Sequence, residues 1–115
     1  MTESKLQQDI FNFYQNNYCL KFHNPRGLIF SIPNGGTRNK LEAITMKATG
    51  LLAGASDLIV ILPNGKLFFI ELKIEKGIQS DKQKEFENRV SDLGFEYKII
   101  RSLDEFKNFI HEKIL

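Results

Sequence analysis

Asp57-Leu58-Ile59-Val60-Ile61-Leu62-Pro63-Asn64-Gly65-Lys66-Leu67-Phe68-Phe69-Ile70-Glu71-Leu72-Lys73-Ile74 holds two apolar runs on either side of a Pro-Asn-Gly turn. Branched and aromatic residues of this kind favour strands, and Asn-Gly is a strong signal for a tight hairpin turn. The stretch therefore predicts one strand over 57–62 and its return over 66–74. On the return strand Phe68, Ile70, Leu72 and Ile74 form one wholly apolar face, while Leu67, Phe69, Glu71 and Lys73 form the other. In an antiparallel pair turned at 63–65, residues whose numbers sum to about 128 lie opposite one another, so Asp57 faces Glu71.

The flanking sequence supplies the rest of an α/β fold. Glu3, Leu6, Gln7, Ile10, Phe13 and Tyr14 recur at spacings of three and four, which predicts a helix over 2–17 with Thr2 able to cap it. Residues 18–27 read as irregular, with a turn at Asn24-Pro25-Arg26-Gly27. A short strand over 28–32 follows, then a break at Pro33-Asn34-Gly35-Gly36. A helix over 39–49 has Leu41, Ile44 and Ala48 on one side and Gly50 as its stop. Beyond the hairpin, Ser80-Asp81-Lys82-Gln83 matches a capping box. The helix it opens runs to Leu93, with Phe86, Val90 and Leu93 facing inward. A strand over 95–101 leads to a second capping box, Ser102-Leu103-Asp104-Glu105, and a last helix burying Leu103, Phe106, Phe109, Ile110 and Ile114. This order implies a small mixed β-sheet with a central antiparallel hairpin and helices on both faces. With no repeat and no linker, residues 1–115 read as a single domain.

Composition excludes several classes. The 115 residues are 42% hydrophobic, too apolar for a disordered chain. No apolar run approaches ~18 residues, so no membrane association is expected. The first eight residues lack an apolar secretory core. The single Cys19 excludes an internal disulfide and a cysteine-based zinc site, and a cytoplasmic setting, in a bacterial or virus-infected cell, is expected. A net charge of +2 does not by itself announce nucleic acid. Gly50-x-x-x-Gly54 lacks the Lys-Ser/Thr of a phosphate-binding loop, and His23 and His111 lack ligand spacing.

The facing acids carry the chemistry. Opposed side chains in such a hairpin have β-carbons ~5 Å apart. Two carboxylates that close repel unless one is protonated or a cation lies between them. Oxygen donors of this type suit Mg²⁺ or Mn²⁺. Lys73 shares the face of Glu71, about 6.6 Å further along the strand, within reach of a water or phosphate oxygen beside such an ion. Two carboxylates and a lysine around a metal suit phosphodiester hydrolysis. A Glu-x-Lys pair on a strand is commonly a solvated ion pair and nothing more; the second acid directly opposite is what that reading leaves unexplained.

Gly54-Ala55-Ser56-Asp57-Leu58, Ile70-Glu71-Leu72-Lys73, Gly77 and Ser80-x-x-Gln83 together resemble the VRR-NUC (virus-type replication-repair nuclease) family of the PD-(D/E)xK nuclease superfamily. Glu3-Ser4-Lys5-Leu6-Gln7, Pro33-Asn34-Gly35-Gly36-x-Arg38 and Lys47-x-x-Gly50 extend the resemblance over most of the chain. Ser56 departs from it, since the family usually has proline directly before the first acid. The resemblance implies that Asp57 and Glu71 bind the metal by side chain and that the Leu72 carbonyl adds a ligand. Lys73 would orient or deprotonate the attacking water, and Glu3 would approach the metal through water. Gln83 would reach the site from its helix, although the capping box alone also accounts for it.

Asn34, Gly35, Gly36, Arg38, Lys40, Lys47, Lys76 and Lys82 are the expected DNA contacts. The expected activity is a Mg²⁺- or Mn²⁺-dependent endodeoxyribonuclease acting in replication, recombination or repair. Branched DNA such as a four-way (Holliday) junction is the expected substrate, and a homodimer would present two sites to it. The rival readings are a noncatalytic nucleic-acid-binding module and a nuclease subunit that works only with a replication or repair partner.

Overall fold

The structure is a computed structural model and describes residues 1–33 and 39–114. Helix α1 (Glu3–Tyr18) begins where the Thr2 hydroxyl accepts the Lys5 amide at 3.0 Å. Leu6, Ile10 and Tyr14, four residues apart, are fully buried along one stripe of α1. The Tyr14 hydroxyl donates to the Ile61 carbonyl at 2.8 Å, tying α1 to the sheet.

The remaining elements are β1 (Leu28–Ser31), α2 (Lys40–Ala48), β2 (Leu58–Ile61), β3 (Leu67–Leu72), α3 (Asp81–Asp92), β4 (Glu96–Ile100) and α4 (Leu103–Ile114). The four strands form a sheet in the order β1-β2-β3-β4. β1 and β3 run antiparallel to β2, and β4 runs parallel to β3, so the sheet is mixed as the sequence implies. Leu58 pairs with Ile70 and Ile61 with Leu67, the register read from the turn.

Alternation then sorts the side chains. Ile29, Leu58, Val60, Phe68, Ile70, Leu72 and Ile100 are buried with Leu6, Ile10 and Tyr14 of α1 and Phe106, Phe109 and Ile110 of α4 in one core. Each such side chain contributes roughly 1.5–3 kcal/mol relative to exposure. On the opposite face Phe69 meets Phe86 of α3 edge-on, at 5.4 Å between ring centroids. Helices thus flank both faces, and α3 covers the side on which Phe69, Glu71 and Lys73 project.

Two sequence expectations change, those for Leu93 and Ile114. Leu93 does not face inward; it is the C-terminal cap of α3 and is 75% exposed, because Gly94 at φ 93° turns the chain away there. Ile114 is 37% exposed in the last turn of α4, one turn past the buried Ile110. Leu41 and Ile44 share a side of α2 but are 74% and 56% exposed. Among the described residues α2 packs against no other helix or strand. No helix among them is long and apolar enough to cross a membrane.

Candidate active site

The site forms where β2 begins and β3 ends. One step beyond the last β2–β3 pair, Asp57 comes opposite Glu71. Its Oδ2 accepts the Leu72 amide at 2.7 Å, so a side-chain oxygen takes over where the ladder stops. A bond this short to a carboxylate is among the stronger kinds. The Asp57 carbonyl accepts the Ile32 amide at 2.9 Å, which fixes its backbone from the β1 side. The bend before it is held by the buried Ser56, whose hydroxyl donates to the Leu58 carbonyl at 3.3 Å. A hydrogen bond thus supports the bend that leads into Asp57.

Glu71 is only 1% exposed, on an otherwise apolar strand. Its Oε2 accepts Gln83 Nε2 at 3.1 Å and lies 3.6 Å from Lys73 Nζ. Its Oε1 is buried and has no hydrogen-bond partner. Burial pushes the Glu71 carboxyl up to about 8, helped by the charge of Asp57 and by a proton the two acids can share in a hydrogen bond; the Lys73 ammonium opposes the shift. The crowding expected from the sequence is therefore present. Buried polar oxygens are rarely left unpaired, and a buried carboxylate with a second carboxylate opposite it suits a cation. The two carboxylates offer only oxygen, which fits a hard divalent ion. Among the described residues no group of three or more His, Cys, Asp and Glu side chains gathers to hold a metal.

Gln83 has both roles considered for it. Its Oε1 accepts the Ser80 amide at 2.9 Å, completing the capping box with the Ser80 hydroxyl, while its Nε2 holds Glu71. Gly54 makes this approach possible. It has φ 85°, and a β-carbon there would overlap the Lys82 carbonyl and crowd the Gln83 amide. Gly54→Ala is therefore expected to lower stability by about 1–3 kcal/mol, roughly 4–12 °C in melting temperature. A thermal melt within 2 °C of wild type, to within roughly the resolution of the method, would show that the contact is dispensable.

The other expected residues fare differently. Glu3 is exposed in the first turn of α1. Its neighbours Ser4 and Gln7 line an open groove of about 310 Å³ with Ser31 and Leu58, the residue after Asp57. Glu3 is thus at the acid end of the sheet without joining the pair. Lys76 is exposed in the turn after Lys73, and Lys82 is exposed on α3 with its ammonium 3.7 Å from Glu85. Lys40 and Lys47 are exposed on α2, which is not packed against the hairpin. Asn34, Gly35, Gly36 and Arg38 lie outside the described residues.

One cluster beside the site escaped the sequence reading. Gln79 Nε2 donates to Glu87 Oε1 at 2.9 Å and to the Tyr97 hydroxyl at 3.1 Å, joining the loop after Lys73 to α3 and β4. Burial raises the Tyr97 phenol, the Gln79 hydrogen bond works against this, and the charges of Glu71, Glu87 and Asp57 raise it further. The only available signal was parity: Tyr97 lies opposite Phe69 and so on the Glu71 side of the sheet.

Two solved structures share this architecture. A VRR_NUC domain protein aligns with a TM-score of 0.75 at 21% identity, over 97% of this chain and 87% of the other. A VRR_NUC domain aligns with a TM-score of 0.64 at 22% identity, over 95% and 94%. No curated protein matches the chain. At the level of sequence, the VRR-NUC domain profile matches residues 1–104, which include Asp57, Glu71, Lys73 and Gln83. The chain therefore belongs to the VRR-NUC domain family and is a nuclease-type domain.

Proposed function

We propose that this chain is a Mg²⁺- or Mn²⁺-dependent DNA endonuclease with Asp57, Glu71 and the Leu72 carbonyl as metal ligands. The observation that carries the reading is the buried Glu71 carboxylate, its Oε1 unpartnered, with Asp57 opposite it across the hairpin. When bound, the ion supplies Lewis-acid stabilisation of the phosphate and a more acidic water. The protein's own groups do the rest. Gln83 Nε2 holds Glu71 Oε2 and fixes how that carboxylate is turned. Lys73 Nζ orients the attacking water by hydrogen bonding and assists loss of its proton. The water oxygen bonds to phosphorus, the bond to the 3′-oxygen breaks, and that oxygen is protonated, leaving 5′-phosphate and 3′-hydroxyl ends. Glu3 acts as an accessory acid through water. Lys76, Lys82, Lys40, Lys47, Arg38 and the backbone of Asn34, Gly35 and Gly36 contact phosphates of the DNA.

Shape-selective cutting of branched DNA by a homodimer is part of the proposal, since two related sites on one junction cut both strands. The test is cleavage of four-way and linear DNA with Mg²⁺ or Mn²⁺. Metal-dependent nicking near the branch point is expected. Binding of DNA without cutting favours a noncatalytic module, and cutting only after a replication protein is added favours a partner-dependent subunit. Independently of DNA, millimolar Mn²⁺ is expected to raise the melting temperature, because only the folded hairpin brings the acids together. No shift in differential scanning fluorimetry would remove the preformed site.

A further inference from the structure

We propose that Arg101, at the end of β4, is a positioning residue that latches the turn behind Lys73. The catalytic consequence rests on the nuclease reading; the latch itself does not. After Lys73 the chain folds back sharply, the Gly77 amide donating to the Ile74 carbonyl at 2.9 Å. Within that turn Glu75 has φ 49°, the only positive φ of a non-glycine residue among those described. A side chain disfavours this conformation, so the turn needs support from outside.

Arg101 supplies it. Its Nη1 donates to the Glu75 carbonyl at 3.1 Å and to the Gly77 carbonyl at 2.8 Å, spanning the turn with one nitrogen. The guanidinium is always charged and its donors are fixed in a plane, which suits it to clamp two carbonyls. The preceding residue, Ile100, accepts the Lys73 amide through its carbonyl at 3.2 Å, so the clamp is anchored beside the lysine it serves.

The turn in turn supports the lysine stem. A β-carbon built on Gly77 would lie 3.6 Å from Lys73 Cδ and 3.7 Å from its Cβ. The backbone there forms a wall along the stem, and the Lys73 side chain is only 11% exposed. If the turn opens, the stem loses that wall and the ammonium loses its fixed place beside Glu71 Oε2. A displacement of an ångström in such a group is costly to rate while leaving binding intact.

The test uses the full chain with Arg101→Met, Glu75→Gly and the two combined. In the metal-free protein, Arg101→Met should speed exchange of the Gly77 amide about tenfold or more, with core amides unchanged. On DNA, kcat should fall about tenfold or more while KM stays within about threefold. Mn²⁺ affinity by calorimetry should be unaltered, because the acids are not touched. Glu75→Gly removes the need for the latch, so the combined variant should recover most of the lost kcat. Unchanged Gly77 exchange in Arg101→Met overturns the latch. So does a combined variant as slow as Arg101→Met alone. A loss expressed in KM with a weaker salt dependence makes Arg101 a phosphate contact instead. If the wild type cuts no DNA with either metal, the nuclease reading fails and the exchange measurement alone decides the latch.

Discussion

Glu71→Gln is expected to melt higher than wild type at pH 8 without metal, and to cut DNA at least ~10³-fold more slowly with it. The two effects have one cause. In the folded protein burial and Asp57 hold the Glu71 carboxyl near 8, while its ordinary value is 4.5. Below 4.5 both states carry the proton, and whatever the protonated side chain adds to folding is fully present. Between 4.5 and about 8 the unfolded chain releases that proton and the native state keeps it, so stability falls as the pH rises. An amide cannot ionise, and its oxygen can still accept from Gln83. The wild-type protein should therefore lose at least ~2 kcal/mol, roughly 8 °C, between pH 5 and pH 8, and the variant should not lose this component. Parallel melting curves for the two proteins across that range would mean that Glu71 is ionised without strain. The same substitution replaces the proposed anionic metal ligand by a neutral amide, which is why activity is expected to fall as stability rises.

Lys73→Met is expected to lose cleavage by ~10²–10³-fold with little change in substrate affinity. Methionine keeps the length and apolar packing of the stem and removes only the ammonium 3.6 Å from Glu71 Oε2. Without that charge the Glu71 carboxyl should be held higher still, since Lys73 opposes the upward shift. Mn²⁺ binding measured at pH 8.5 or so, where proton competition is least, should be retained. Kinetics and calorimetry together separate the roles. A variant that binds the ion and DNA but cuts slowly has lost a group that acts on the reacting atoms. One that cuts within a fewfold of wild type assigns Lys73 to charge balance alone.

The hairpin was legible because a short turn converts sequence number into spatial pairing. Pro63-Asn64-Gly65 sets the register, and the register sets Asp57 against Glu71. The capping box was legible because its two bonds are local, and the inward spacing of Gln83, Phe86 and Val90 pointed its amide at the sheet. What was not legible depends on contacts between elements distant in sequence. Leu93 and Ile114 continue a helical stripe, but where a helix leaves the core is decided by its partners. The apolar side of α2 has no cover within the described residues, although its pattern resembles that of any packed helix. Arg101 looks like an ordinary surface arginine until the turn at 74–77 folds underneath it. Tyr97 and Gln79 meet only because a parallel strand returns β4 beside β3.

The amide of Gln83 has no freedom of choice. Its oxygen is spoken for by the backbone at Ser80, which leaves the nitrogen to confront Glu71. Glutamate and glutamine are ordinarily interchangeable at the third position of a helix opening of this type. Here glutamate would preserve the opening and put a further carboxylate against a pair already short of countercharge. A preference that belongs to helices in general is thereby narrowed to a single side chain, and the narrowing comes from the neighbouring strand.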